Sequence, residues 1–433
     1  MKSIRKKCSE KLLIRFSRGR KVIDLSYPED RKLVKYMAFF IGLMMCVLRI
    51  STAAMQSACG IATLLGLILW YKNKDSLAIS EEIQGYLKAY GVFLLSLLPS
   101  VIFSDNPAAS AKEFANLWIW RFVVFVLIVA FIKQREYLVN MLTAYLAVMS
   151  VECMFTLVEV LTHARTGDRA GGFDRLALPL AGIVCMVLPV VLVILMDSRF
   201  GKKLKQAAAF SATSTLVALL CIKSRGAWLT TLLVVPIATF RYLKENKRQL
   251  LIVLAVFAGI LGFMLSSPHY VQRIQSITNT TTDRSNVDRI WSWKSAEKMI
   301  REHPVTGVGI ERFQNHYQKY RFKQEKQNLG HTHNNFIHIA TESGITGLAG
   351  LICFQGFWLY TSFRNYRKNK NPYDILIFTT CLGYICVFGQ IDYTLGISDG
   401  MRIMWFLLAV LLQLKETERQ CQSGPAEIKQ TIF

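Results

Sequence analysis

Three histidines fall within eight positions, His331, His333 and His338, where the stretch LGHTHNNFIHIATESGITGL (329–348) turns apolar. Imidazole at that density ligates a metal, moves a proton, or satisfies a helix start. A tetrahedral zinc site needs three or four N, S or O ligands held by fixed partners. His331 and His333 supply an H-x-H pair and His338 or Glu342 a third ligand, but the surroundings are cationic, with no aspartate pair or cysteine. No metal is therefore expected. Asn334 or Asn335 is a good helix N-cap, which sets His333 beside a helix N-terminus, where partial positive charge disfavours imidazolium. A neutral ring can accept a proton, as a general base must. His338 and Glu342 lie four apart on that helix and are expected to pair.

Arginine is the second residue type with chemistry to offer. Arg225 lies in KSRGAW, Arg289 opens DRIWSWKSAEKMIREHP, Arg169 and Arg175 lie in TGDRAGGFDR, and Arg121 interrupts WIWRFVV. An arginine at bilayer depth costs about 2.5–3.5 kcal/mol and usually lines a polar cavity. Guanidinium keeps its charge and presents a fork of donors that matches phosphate oxygens. Convergent arginines at one membrane boundary suit a diphosphate. Snorkelling to headgroups, or pairing with Asp168, Asp174 or Glu159, is the alternative for any one of them.

The elements that position these groups follow from hydropathy. The chain has 433 residues, 52% of them hydrophobic. Its apolar residues form long, nearly charge-free runs such as LPLAGIVCMVLPVVLVILM (178–196). About 20 apolar residues cross a bilayer as a helix, so an all-α integral membrane protein is expected. Twelve spans are expected, at 36–52, 53–71, 85–104, 116–132, 137–161, 176–196, 204–222, 226–243, 250–267, 345–363, 374–395 and 400–414. The layout is a basic tail (1–35), nine spans (36–267), a large outer loop (268–335), three spans (336–414) and a tail (415–433). The net charge of +23 sits mainly in the first tail and in linkers such as DSRFGKKLK and RYLKENKR. Placed there it orients the chain, with both ends cytoplasmic, and argues against nucleic acid. In the outer loop, Ile290, Trp293, Ala296, Met299 and Ile300 recur at helical spacing ahead of Pro304, and IERFQNHYQKY reads as a second helix. The ten cysteines lie in apolar runs or tails, so no disulfide framework is implied, and the first 35 residues carry no signal-like apolar region.

HNNFIHIATESGITG (333–347) resembles the His-Asn, nine residues, Gly-x-x-Gly signature of the O-antigen ligase family. DRIWSWKSAEKMIREHPVTGVGIERFQNHY resembles that family's loop, KSRGAW its Ser-Arg-Gly turn, and DRAGGF its Arg-x-x-Gly-Phe segment. The resemblance implies a GT-C-like, inverting, metal-independent glycosyltransferase of the bacterial inner membrane without a cofactor. It would move a glycan from undecaprenyl diphosphate to the lipid A core at the periplasmic face, among membrane lipids. The family's diphosphate-binding arginines fall on Arg225 and Arg289 and its catalytic histidine on His333; Arg169, Arg121, His331, His338 and Glu342 are secondary candidates. Where the family often has Pro-Asn after DRAGGF, this chain reads DRLALPL, so a donor contact there is not carried over. An O-antigen or capsule polymerase would use the same donor with another lipid-linked acceptor. A transporter of lipid-linked sugars would instead show midplane charges and paired broken helices. The unusual groups here gather at one boundary, and no repeat is present.

Overall fold

Inside a bilayer each backbone N–H and C=O must find its partner within the protein, so long apolar runs become helices. The computed structural model describes residues 28–74, 79–163, 169–323 and 328–423, with no strand among them. The α-helices are α1 (Pro28–Val47), α2 (Thr52–Asn73), α3 (Glu81–Ile102), α4 (Pro107–Phe114), α5 (Val123–Phe131), α6 (Arg135–Leu161), α7 (Ala177–Met196) and α8 (Lys202–Cys221). They continue with α9 (Arg225–Glu245), α10 (Lys247–Ser266), α11 (Pro268–Gln275), α12 (Arg284–Glu302), α13 (Phe313–Tyr320), α14 (Asn335–Asn369), α15 (Pro372–Cys381) and α16 (Ser398–Ser423).

Ten segments among the described residues are long and apolar enough to cross a membrane: α2, α3, Pro107–Phe131, α6 to α10, α14 and Pro372–Gln390. The protein is thus an all-helical, multi-pass membrane protein. The first and last expected spans fall on α1 and α16, helices outside those ten. The expected span 374–395 ends early, at Gln390, through a π turn (Leu382–Val387) and a 3-10 turn (Phe388–Gln390). Most of the two expected tails (residues 1–27 and 424–433) and Asp168 lie outside the described residues.

The chain forms two compact units. In the first (1–86, 122–148 and 405–433), α1 and α2 make a hairpin whose turn ends at Ser51, where the hydroxyl accepts the Ala54 N–H at 3.3 Å. Phe122, Phe125 and Trp405 form its aromatic cluster, with ring centroids 4.7–5.8 Å apart. The second unit (87–121 and 149–404) is built around α7, buried at every residue from Leu180 to Val191, with α8, α9 and α15 packed on it. It also holds α11 to α14, and its residue ranges take in every candidate site residue.

Candidate active site

The histidine segment is positioned by a broken helix. Within α14, Gly344 has φ 59° and ψ −161°, a conformation that L residues avoid. The break frees backbone groups, and the His-Pro-x-x-Gly-x-Gly loop satisfies them. Val308 N–H donates to Thr341 O (3.0 Å) and Gly309 N–H to Glu342 O (2.9 Å). In return Ile345 N–H donates to Pro304 O (2.9 Å). A β-carbon on Gly344 would lie 2.2 Å from Val305 O, and one on Gly307 2.2 Å from the Glu342 carbonyl carbon, so both glycines serve this close approach. The Glu342 carboxylate accepts the backbone N–H groups of Glu311 (2.9 Å) and Phe313 (3.0 Å); His338 Nε2 lies 3.5 Å from it. His338 and Glu342 are thus neighbours as expected, but Glu342's closest partners are the loop's backbone.

Asn334 is the N-cap of α14, accepting from Phe336 N (2.9 Å) and Ile337 N (3.0 Å). His333, one residue earlier, has φ 53°, unusual for a non-glycine residue and concentrated at functional sites. That backbone sets His333 Nδ1 3.1 Å from Asp392 Oδ1. Burial pushes the Asp392 carboxyl up, but the His333 hydrogen bond and the electrostatic influence of the His331 and His333 rings outweigh it, and the net shift is down. An ionised Asp392 accepts a proton-bearing Nδ1 and leaves His333 Nε2 as the acceptor. The His333 backbone N–H donates to His331 Nδ1 at 3.2 Å. Burial first, then His333, brings His331 down to about 3, so its ring is neutral. One metal-capable set occurs here among the described residues: ligand atoms of His331, His333 and Asp392 lie within 4.8 Å of one another.

Beside this pair opens a cleft of about 190 Å³ lined by Arg169, Arg225, Arg273 and Arg289, with Trp293, Gln390 and Ile391. Three contacts join cleft and histidine. Arg289 Nε donates to Ile391 O (3.0 Å), next to Asp392; Trp293 Nε1 donates to Thr332 O (2.9 Å), next to His333; Asn334 Nδ2 donates to Gln390 Oε1 (3.0 Å). The arginines are not equivalent. Arg225, 8% exposed at the start of α9, spends both terminal nitrogens on the protein: Ser276 O (2.5 Å) and Oγ (2.8 Å), Asp283 Oδ1 (2.9 Å) and Asn286 Oδ1 (3.2 Å). Asp283 also lies 3.9 Å from Arg273. Arg289 Nη1 donates to Ser285 Oγ (2.8 Å), while its Nη2 has no acceptor among the described residues. Burial, then the charges of Arg273, Arg289 and Arg225, lowers Arg169 to about 10, which reports how crowded this positive field is.

Residues 207–352 match the family model described as O-antigen ligase. That stretch of the chain is similar to the O-antigen ligase family. The O-antigen ligase of Salmonella typhimurium strain LT2 is 25% identical over 352 residues, covering 74% of this chain and 82% of that protein. The chain is accordingly a membrane enzyme of the glycosyltransferase type. The ligase-domain match takes in Arg225, Arg273, Arg289, His331 and His333, and stops short of Asp392.

Of the residues singled out from sequence, Arg225, Arg289 and Arg169 share the cleft, and His333 and His331 stand beside it. Arg121 is elsewhere, donating to Leu395 O (3.3 Å) and Gly396 O (2.8 Å). Sequence reading missed Asp392 and Arg273. The acidic residue in GQIDYTLG carried a usable signal, since a carboxylate next to an apolar run needs a partner. Arg273 carried none beyond its place in the outer loop.

Proposed function

We propose that the protein transfers a saccharide from undecaprenyl diphosphate to a hydroxyl of the lipid A core, with inversion and without a metal. The reaction would take place on the periplasmic face of the bacterial inner membrane, in a GT-C-like arrangement of twelve spans with both termini cytoplasmic. The cleft arginines hold the diphosphate, Arg289 with its open Nη2, Arg169 and Arg273 beside it, and Arg225 as the anchor of the cleft wall. The acceptor oxygen attacks the anomeric carbon as the anomeric C–O bond breaks. The electron pair leaves on the diphosphate, where guanidinium charge stabilises it. The acceptor proton goes to His333 Nε2, and Asp392 holds the ring and the resulting imidazolium.

One observation carries this reading: a four-arginine cleft adjoins a His–Asp pair through consecutive residues, Ile391 and Asp392. The test is purified protein in nanodiscs with lipid-linked polymer as donor and rough lipopolysaccharide as acceptor. Polymer should appear on the core in wild type and not in His333→Ala. Transfer only onto a second lipid-linked glycan would replace the ligase reading with a polymerase. Transfer abolished by a chelator and restored by zinc would make His331, His333 and Asp392 a metal centre instead.

A further inference from the structure

On the far side of Asp392 in sequence, Tyr393 enters a second polar region that the reaction above leaves unused. The Tyr393 ring packs against His338 at a tilt of 44°, with centroids 3.7 Å apart, and lies 5.9 Å from His331. It is within electrostatic reach of Arg121 and Glu311. Four polar side chains here each have an atom without a hydrogen-bond partner among the described residues. Arg121, 6% exposed, gives two hydrogen bonds to backbone carbonyls, while its Nε has no acceptor and no carboxylate forms an ion pair with it among the described residues. The Tyr393 hydroxyl and His338 Nδ1 are buried without partners, in residues 5% and 1% exposed. Glu311 is exposed as a whole residue, though its carboxylate is partly desolvated, and that carboxylate accepts no hydrogen bond among the described residues. Burial, then the Glu342 carboxylate, raises its pKa, as befits an acid short of donors.

Buried polar groups in a native protein are normally satisfied, and exceptions point to a missing water or ligand. Arg121 and Glu311 feel each other's charge yet are not paired, and both are held near Tyr393: Arg121 through Leu395 O and Gly396 O, Glu311 through its N–H on the Glu342 carboxylate, 3.5 Å from His338. A polyol supplies both partners at once, hydroxyl hydrogens for the carboxylate and hydroxyl oxygens for the guanidinium and phenol. We infer that Arg121, Glu311 and Tyr393 form the subsite for the acceptor saccharide, across residues 391–393 from the arginine cleft. This rests on reading that cleft as the donor site and His333 as the base. Donor and acceptor would then approach the His333–Asp392 pair from two directions, as a displacement with inversion requires.

Glu311→Gln and Tyr393→Phe are suitable variants, one at the surface and one removing only an unpartnered hydroxyl. In nanodiscs, each should raise the KM for rough lipopolysaccharide about tenfold, the worth of one hydrogen bond to a charged or buried group, with the donor KM within about twofold of wild type. An acceptor KM unchanged in both variants overturns the subsite. If wild type transfers nothing, the reading of the reaction fails, and direct binding of rough lipopolysaccharide decides the subsite alone. Binding weakened by Glu311→Gln sustains it; equal or absent binding overturns it.

Discussion

The helix break at Gly344 and the arginine cleft both put irregular backbone and polar groups at the ends of apolar helices, yet they treat those groups oppositely. At the break, the carbonyls of Thr341 and Glu342 and the N–H of Ile345 each find a partner in the loop 304–309. In the cleft, four arginines crowd together, two of them around the single carboxylate of Asp283, and Arg289 keeps a donor unspent. A membrane protein tolerates unwound backbone where the protein re-satisfies it. Crowded cations facing a cleft suit an anion that arrives there. The contrast supports reading the satisfied region as scaffold and the cleft as the proposed site.

The sharpest way to break this comparison is His333→Ala, which should lower transfer by about 10²–10⁴-fold, the usual worth of a general base, without loss of folded protein. Unchanged turnover would remove the histidine from the reaction. Next comes the scaffold. Gly344→Ala should cost about 3 kcal/mol or more, because the backbone conformation is strained for alanine and the new β-carbon meets Val305 O. Thermal unfolding in nanodiscs measures it, and a wild-type melting curve would show that the break is not structural.

Asp392→Asn should lower kcat by roughly 10²-fold while leaving the donor KM in place, since an amide no longer fixes the His333 tautomer. Equal loss in the donor KM would make Asp392 a binding residue. Arg289→Gln should raise the donor KM by about tenfold, in keeping with one charge-assisted hydrogen bond. Arg225→Lys should instead loosen the 276–286 segment, read by hydrogen exchange.

The smallest effect belongs to the bidentate pair of Arg312 with Asp105, at 2.7 and 2.9 Å. The Arg312 hydrogen bond holds Asp105 down to about 2. A carboxyl depressed on folding stabilises fully above its unfolded value, near 3.9, and loses that contribution as pH falls through the folded value. Asp105→Asn should therefore lower stability by less than about 1 kcal/mol at neutral pH, as for an exposed pair, and by progressively less as pH falls through the folded value. A penalty that persists in acid would point to packing rather than charge.

The helices α2, α3 and α5 to α10 were legible in the sequence because runs of about 20 apolar residues have one solution in a bilayer, whereas α4 (Pro107–Phe114) falls between two expected spans. In the outer loop α12 and α13 were legible from helical spacing but α11 was not, and capping chemistry narrowed the N-cap to Asn334 or Asn335, of which Asn334 caps. The span boundary at 395 was not, because apolar composition continues past the π turn that ends the helix.

Local chemistry alone determined that this chain enters a membrane repeatedly, that a helix starts at His333–Asn335, and that arginines gather at its boundary. Only tertiary structure decided that Asp392, 59 residues from His333, is its partner, and that Arg225 is engaged by Asp283 while Arg289 keeps a donor open. Helix formation depends on neighbours three and four positions away, which a sequence displays. The pairing of a side chain depends on which helix ends meet, and that is a property of packing.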